Sequence, residues 1–305
     1  MPTRAEIQDE IQKAATSAQD NVRRRFLRDL NKHTGRAVIH YASAAGLQNF
    51  AHAAGALSIS NEDMQGFMAA CHGLTGDKLD LILHSPGGSL DAAEQIVNYL
   101  RAKFSHIRAI VPQNAMSAAT MIACACDEIV MGKHSAIGPI DPQITLPRPN
   151  RPALALPAQA FLDEFGMAKA DIAQNPASAA VWLQKLQELP PGFLQFCANT
   201  IERSEQTVAL WLEKYMHMPK PDAVAAAQWL ARASNHKSHG RPIDAKTAQG
   251  LGLKITMLED DGVAQDLVLS VFHATMVTFS STTCGKMIEN HLGKGIYIQV
   301  PIPGR

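Results

Sequence analysis

The chain has 305 residues, 46% of them hydrophobic, which is enough for a sizeable core in one large domain or two small ones. Its 28 basic and 28 acidic residues cancel, so no net charge favours binding to nucleic acid or to an anionic membrane. The five cysteines form no Cys-x-x-Cys pair, and the charged N-terminus has no signal segment. No apolar window reaches the ~20 residues that a membrane helix needs. These features predict a cytoplasmic protein without a transmembrane segment.

Residues 1–30 predict an amphipathic helix, because apolar residues recur among charged ones at helical spacing. We treat this helix as an N-terminal unit that packs on the remaining domain, residues 31–305, or on a partner. Strands and helices then alternate, which is typical of a parallel sheet with helical crossovers. The predicted strands are 37–42, 79–84, 107–111 and 128–131, and the predicted helices are 60–74, 89–103 and 117–126.

The second half of the chain predicts mainly helices. Residues 146–157 are rich in proline, which indicates a loop or a linker. A helical insertion at about 158–232 follows, and residues 235–242 form a basic loop that contains histidines. A helix at 244–251, a strand at 254–258, a helix at 266–278 and a strand at 295–301 complete the chain.

Two motifs stand where a predicted strand ends and a helix begins. The first, Ser85-Pro86-Gly87-Gly88-Ser89, predicts a Gly-Gly turn that leaves backbone N–H groups free. In the second, Ser117 lies at the start of a helix, in a positive field. Free N–H groups beside a serine can form an oxyanion hole next to a nucleophile, as an acyl-transfer or hydrolytic site requires.

These motifs and the segment 114–143 (NAMSAATMIACACDEIVMGKHSAIGPIDPQ) resemble the ClpP/crotonase superfamily. Within it, they resemble the signal peptide peptidase A branch and its serine dehydrogenase proteinase (SDH proteinase) family. The resemblance implies an α/β fold, a spiral of parallel strands with helical crossovers, with extra helices at the N-terminus and after residue 158. It also implies a homo-oligomeric serine endopeptidase that acts on a peptide or protein and needs no cofactor or metal. The sequence contains no Walker motif and does not specify an ATPase or membrane partner.

Carried over to this chain, the resemblance assigns the nucleophile to Ser117. It assigns the oxyanion hole to the N–H groups of Gly88, with Gly87, and of Ala118. The signal peptide peptidase A branch uses a lysine as the general base, and Lys169 lies at a matching separation from the serine.

A lysine acts as a base only when its pKa is lowered, for example by burial in an apolar pocket. The apolar residues Phe165 and Met167 precede Lys169 and could form such a pocket. Lys133 and Lys185 are alternative bases. The histidine that serves the Clp protease subunit has no counterpart, because the corresponding segment, 140–143, contains none.

Simpler roles compete with the catalytic ones. Ser117 could be only a helix cap. His84 is expected to be a core histidine, and Asp141 is expected to fix a turn rather than to orient the lysine. His236 and His239 suggest a metal site, but two histidines without a third ligand favour a polar loop near the site or at a subunit contact.

Two further functions are compatible with the same fold. A crotonase-type acyl-CoA enzyme shares the oxyanion turn, and an inactive scaffold would keep the fold for assembly alone. Binding of CoA thioesters would indicate the former, and an unreactive Ser117 the latter.

Overall fold

The computed structural model describes residues 18–148, 151–187 and 189–301. Its strands are β1 (Ala37–Ser43), β2 (Lys78–His84), β3 (His106–Val111), β4 (Asn114–Ala115), β5 (Glu128–Met131), β6 (Ala136–Ile137), β7 (Gln143–Arg148), β8 (Arg151–Pro157), β9 (Ile255–Met257), β10 (Cys284–Asn290) and β11 (Gly295–Gln299). Its helices are α1 (Ala18–Thr34), α2 (Ala54–Leu57), α3 (Asp63–Cys71), α4 (Leu90–Lys103), α5 (Ala118–Cys124), α6 (Ala158–Gln174), α7 (Ala179–Leu186), α8 (Phe193–Lys214), α9 (Lys220–Ala231), α10 (Ala233–His236), α11 (Ala245–Gly250) and α12 (Gly262–Ser281).

A seven-stranded sheet forms the centre, in the order β11-β10-β1-β2-β3-β5-β9. The five strands from β1 to β9 in this order are parallel, and β10 and β11 extend the sheet in antiparallel fashion. Both functional motifs follow the carboxyl ends of parallel strands, where open α/β sheets place their ligands. The predicted α/β architecture with helical crossovers is confirmed.

Helices cover both faces of the sheet. Leu79, Leu81 and Leu83 of β2 face a core formed with α3, α4, α5, α8 and α9. Ile82 of β2 faces the opposite side, where it joins Leu27 of α1 in a second core with α12. Burial on both faces explains why the parallel strands are nearly continuous aliphatic runs, which made them predictable from the sequence.

The proline-rich segment is a β-hairpin, so the prediction of a loop or linker at 146–157 was wrong. β7 pairs with β8 in antiparallel fashion, and Pro147 falls at a register shift between Leu146 and Arg148. A two-stranded ribbon tolerates proline because each strand has an unpaired edge. Leu146 and Leu156 pack into a small cluster with α6 and α8, which gives the hairpin an apolar side.

The N-terminal helix is described from residue 18 onward, so the part of its prediction at 1–17 lies outside the described residues. α1 packs against α12 through Val22, Ala274 and Val277. Among the described helices, α12 is long and apolar enough to cross a membrane by length and composition, but 61% of its apolar window is buried inside the protein. α12 is therefore an exception to the expectation that no apolar window reaches membrane length.

All five cysteines are free and buried. Cys124 and Cys126 lie in α5 and directly after it, in the first core, and burial raises the pKa of both thiols to about 12. Cys284 belongs to a third core beside β10, and Cys197 to the cluster under the β7–β8 hairpin.

Candidate active site

The Gly-Gly turn is clamped between two other segments. Ile59 donates to the carbonyl of Gly87 at 2.8 Å and accepts from the N–H of Ser89 at 2.9 Å. On the other side, Ser85 donates to the carbonyl of Asn114 and accepts from Met116, at 3.0 and 2.9 Å. The turn after β2 and the turn before α5 are therefore hydrogen-bonded to each other.

Both glycines are required by close approach as well as by backbone conformation. Gly87 has φ +99°, and a Cβ there would lie 2.6 Å from the Ser117 Cβ and 2.6 Å from the Met116 carbonyl oxygen. Gly88 has φ +153°, and a Cβ there would lie 2.3 Å from the Ile59 carbonyl oxygen. The two glycines thus let the turn approach Ser117 at Gly87 and Ile59 at Gly88 more closely than a side chain would permit.

Ser117 adopts a backbone conformation that is costly for a residue other than glycine. Its φ is 53° and its ψ is −121°, immediately before α5. Such strain costs ~1–3 kcal/mol and occurs mainly where function requires it. Ser117 stands at the N-cap position, but its hydroxyl makes no capping hydrogen bond, so the alternative of a simple helix cap does not describe this side chain.

Two backbone N–H groups beside Ser117 have no acceptor among the described residues: those of Gly88 and Ala118. The N–H of Gly87 differs, because it donates to the Ser85 hydroxyl at 3.2 Å. The N–H groups of Gly88 and Ala118 are therefore free to donate to a ligand, whereas that of Gly87 is already bonded.

The predicted residues around the serine line one cavity of about 420 Å³. It contains Ser117, Gly87, Gly88 and Ala118, as the sequence led us to expect. Apolar side chains of Leu90, Met121 and Ile140 form another part of its wall, as do Ser58, Pro86, Asp141, Pro142, Gln143, Thr145, Thr200, Ser204 and His239.

Lys169 lies outside this cavity. It is exposed on α6, and the apolar residues expected to enclose it, Phe165 and Met167, are themselves 38% and 63% exposed. The alternative Lys133 is also exposed, and Lys185 forms a surface ion pair with Glu164. Within the described residues, no lysine lines the cavity around Ser117.

A histidine and a carboxylate lie in the cavity instead. Nδ1 of His239 is 2.8 Å from Oδ1 of Asp141, and Nε2 of Gln143 donates to the other Asp141 oxygen at 2.6 Å. The sequence favoured a turn role for Asp141 and a polar loop for His239, and it did not pair them. The signal was hidden because 98 positions separate the two residues.

The remaining histidines have other partners. His236 donates to the Trp229 carbonyl through Nε2 and packs edge-on against the Trp229 ring, and it does not line the cavity around Ser117. His84 is half-buried at the end of β2 and packs edge-on against Phe272, and desolvation lowers its pKa to about 4. The described residues contain no group of three potential metal ligands.

A buried ion pair supports the segment that clamps the glycines. Lys286 of β10 is fully buried and donates to Asp63 and to the carbonyl of Ser58, at 2.8 and 2.7 Å. Tyr41 donates to the same carboxylate, and burial together with Asp63 raises the pKa of the Tyr41 hydroxyl. These contacts hold residues 58–63, and with them Ile59, against the Gly-Gly turn.

Comparison with known families gives this geometry a context. Residues 11–159, just under half of the chain, match the family model of the ClpP-like SDH-type serine proteinases. That segment is similar in sequence to the SDH-type serine proteinases, and the rest of the chain lies outside the match. The match confirms the resemblance inferred from the sequence. Because the matched family consists of serine proteinases, the match also supports the interpretation of this chain as a serine peptidase. Ser117, Gly87 and Gly88 fall within the matched SDH-type segment, whereas Lys169 and His239 lie beyond it.

Curated relatives are similar over shorter stretches. The uncharacterised protein MJ0137 of Methanocaldococcus jannaschii is 44% identical over 87 residues, 28% of this chain and 30% of that protein. MJ1495 of the same organism is 47% identical over 66 residues, 22% of this chain and 23% of that protein. The chain thus spans less than a third of the curated relatives it matches.

Two solved structures of the membrane-bound stomatin-specific protease 1510-N are more distant. A serine-to-alanine mutant is 14% identical, with a TM-score of 0.35 over 65% of this chain and 74% of the other. A lysine-to-alanine mutant in complex with a substrate peptide is 15% identical, with a TM-score of 0.28 over 66% of this chain and 86% of the other.

Proposed function

We propose that the protein is a serine endopeptidase in which Ser117 is the nucleophile. The observation that carries the proposal is the strained, uncapped Ser117 in a cavity that it shares with two free backbone N–H groups, those of Gly88 and Ala118. This combination matches the requirements of acyl transfer: a hydroxyl that lines a cavity, and free donors that can stabilise a developing negative charge.

The reaction has two steps. Oγ of Ser117 forms a bond to the peptide carbonyl carbon while its proton passes to a general base, and the N–H groups of Gly88 and Ala118 stabilise the oxyanion. The C–N bond then breaks as the base returns the proton to the leaving amine. Water hydrolyses the acyl-enzyme by the same route in reverse.

The Ser-Lys dyad with Lys169 stays a prediction from the family resemblance. Because Lys169 is exposed on α6, it would reach Ser117 only if α6 moved or if a neighbouring copy supplied it. The homo-oligomer expected from the resemblance is likewise a proposal, as are a cytoplasmic location and a peptide or protein substrate. Light scattering on the purified chain measures the first of these directly.

Cleavage of a peptide library by the wild type and by Ser117→Ala tests the function. We expect Ser117→Ala to lose turnover while its melting temperature stays close to that of the wild type. Ser178→Ala is the matched control, since that hydroxyl is exposed and bonds only to the nearby Asn175 carbonyl. Cleavage that persists in Ser117→Ala would contradict the assignment of the nucleophile.

The alternatives have distinct signatures in the same experiment. A wild type that cleaves no peptide but binds CoA thioesters would point to a crotonase-type enzyme. A wild type that does neither, and whose Ser117 does not react with acylating probes, would point to a scaffold.

A further inference from the structure

We propose that a second copy of this chain docks the basic face of its helix α1 into an acidic groove between helices α8 and α9. The contact is head-to-tail, because the two surfaces are different parts of the chain. This inference goes beyond the proposed function and does not depend on it, since neither surface contains Ser117 or a residue of its cavity.

The groove lies along one face of the α8–α9 hairpin and encloses about 430 Å³. Its floor is apolar and open to solvent, because Leu210 of α8 is 57% exposed and Val224 of α9 is 37% exposed. Neighbouring apolar side chains with a polar rim are typical of a surface that binds another protein.

Carboxylates form the rim of the groove. Glu202, Glu205 and Glu213 stand three and eight positions apart on α8, spacings that keep them on one helix face. Among the described residues that line the groove, Lys220 is the one basic side chain. Burial and the nearby charge of Glu202 raise the pKa of the Glu205 carboxyl, although Arg232 partly offsets them. The groove therefore holds an excess of negative charge, which a cationic partner would neutralise.

Helix α1 presents the opposite charge on its outer face. Leu27 and Leu30 are fully buried, whereas Arg25, Arg28 and Lys32 are exposed. The three basic residues fall at positions i, i+3 and i+7, so they form one stripe along the helix. This basic stripe is the surface that we assign to the groove of a neighbouring copy.

The stripe and the groove match in spacing as well as in charge. Arg25 and Arg28 are three positions apart, as are Glu202 and Glu205, which corresponds to about 4.5 Å along each helix axis. Two helices that lie side by side can therefore pair both arginines with both carboxylates. The aliphatic parts of the arginine side chains would then cover the apolar floor.

A copy cannot bring its own α1 into its own groove. α1 packs on the side of the sheet that carries α12, through Leu27 and Leu30. α8 and α9 pack on the other side of the sheet, through Val208 and Ala227. Because the sheet separates the two surfaces, α1 must come from a neighbour, and each copy keeps one groove and one stripe for contact with the next.

The test reverses the charge of one surface at a time. Sedimentation velocity at low salt measures the association of the wild type, of Glu202→Lys with Glu205→Lys, and of Arg25→Glu with Arg28→Glu. We expect the wild type to assemble and each reversed variant to associate at least about tenfold more weakly, because like charges then face each other. An equimolar mixture of the two variants should assemble again, since each supplies the surface that complements the other.

A lysine-reactive cross-linker gives an independent readout. Lys32 lies in the stripe and Lys220 lines the groove, and the sheet separates them within one copy. We expect a cross-link between Lys32 and Lys220 in a mixture of isotopically light and heavy chains, with the two linked peptides coming from different copies.

Glu62→Lys with Asp163→Lys is the matched control. It changes the net charge by the same amount at exposed carboxylates outside the groove, so it should assemble like the wild type.

The proposal is overturned if the wild type stays monomeric at every concentration, if either reversed variant assembles like the wild type, or if their mixture stays dissociated. A cross-link from Lys220 to a segment other than α1 of a neighbour also overturns it. None of these measurements uses a substrate, so a failure of the peptidase assignment would leave them unchanged.

Discussion

Two regions differ in how firmly each residue is held: the turns at the strand ends, residues 84–89 and 112–118, and the helices of residues 158–214. These helices are the first part of the predicted insertion and are called the insertion below. At the strand ends, backbone segments are hydrogen-bonded to one another and approach so closely that Gly87 has no room for a Cβ. In the insertion, Gly166 has open space around it, and Val181 and Leu183 are 71% and 60% exposed. The proposed nucleophile and oxyanion donors lie in the first region, and the lysine expected as a base lies in the second.

This contrast teaches that resemblance in sequence transfers best where packing leaves no freedom. The strand-end turns can adopt few arrangements, so the residue types required there are recognisable. A lysine on an exposed helix face is compatible with many environments, and its separation from Ser117 does not determine where it lies. Four predictions test this contrast by comparing the sheet and its strand-end turns with the insertion.

The largest effect is expected from the two ion pairs. Lys286→Met leaves Asp63 buried without its partner and should lower the free energy of unfolding by ~3–5 kcal/mol. Lys185→Met removes the exposed ion pair with Glu164 and should change the free energy of unfolding by ~0–1 kcal/mol. Chemical denaturation of the two variants measures both values, and equal losses would contradict the contrast.

Next in size is the effect of a methyl group added at Gly87, beside the proposed nucleophile Ser117. Gly87→Ala should displace Ser117 or Ala118 and lower the rate of peptide cleavage by ~10²–10³-fold, the usual cost of a lost oxyanion donor. The measurement is kcat/KM, with the melting temperature recorded to exclude unfolding. A variant with wild-type activity would show that the two turns are not packed as described.

Lowering the pH should reduce the stability of the central sheet against unfolding more than that of the insertion against local opening. Burial lowers the pKa of His40 to about 3, so the unfolded chain takes up a proton below its ordinary pKa of ~6.5 while the folded chain does not. This stability is fully present above pH ~6.5 and declines by up to ~1.4 kcal/mol per pH unit toward pH 3. Hydrogen exchange measures it, and His40→Gln should reduce the slope by about one proton. The insertion contains no histidine, so local opening there should not follow this dependence.

The smallest effect is expected when a glycine of the insertion, Gly166, is replaced by alanine, as Gly87 is above. Gly166 lies within α6 with no heavy atom near its missing Cβ, so Gly166→Ala should stabilise the protein by ~0.5–1 kcal/mol without altering cleavage. Thermal unfolding gives the first value and the peptide assay the second. A destabilised variant would mean that α6 is packed more tightly than described.

Much of the fold followed from the sequence because burial on both sides makes a strand recognisable. The predicted strand at 128–131 coincides with β5, and those at 37–42, 79–84 and 107–111 differ from β1, β2 and β3 by one residue at one end. β10 was missed because Lys286, Glu289 and Asn290 are polar. They are buried there through contacts with Asp63, Arg23 and the Ala70 carbonyl, which are more than 200 positions away.

The candidate site divides in the same way. Ser117, Gly88 and Ala118 were recognisable because each stands next to a strand end within a local motif. His239 was not, because its partner Asp141 is brought to it by the bridge between Ile243 and Ile137, which no local pattern announces. The sequence predicts site residues that belong to a local backbone motif. It does not predict site residues whose side chains come together from distant segments.

The buried free cysteines can report when each region of the molecule opens, because their labelling depends on exposure. Alkylating reagents attack thiolates, and a thiol whose pKa is raised to about 12, as for Cys124 and Cys126, offers almost none until its surroundings open. Cys197 sits under the β7–β8 hairpin, while Cys124 and Cys126 sit in the first core. The order in which iodoacetamide labels these cysteines therefore shows which region opens first, and the measurement needs no engineered probe.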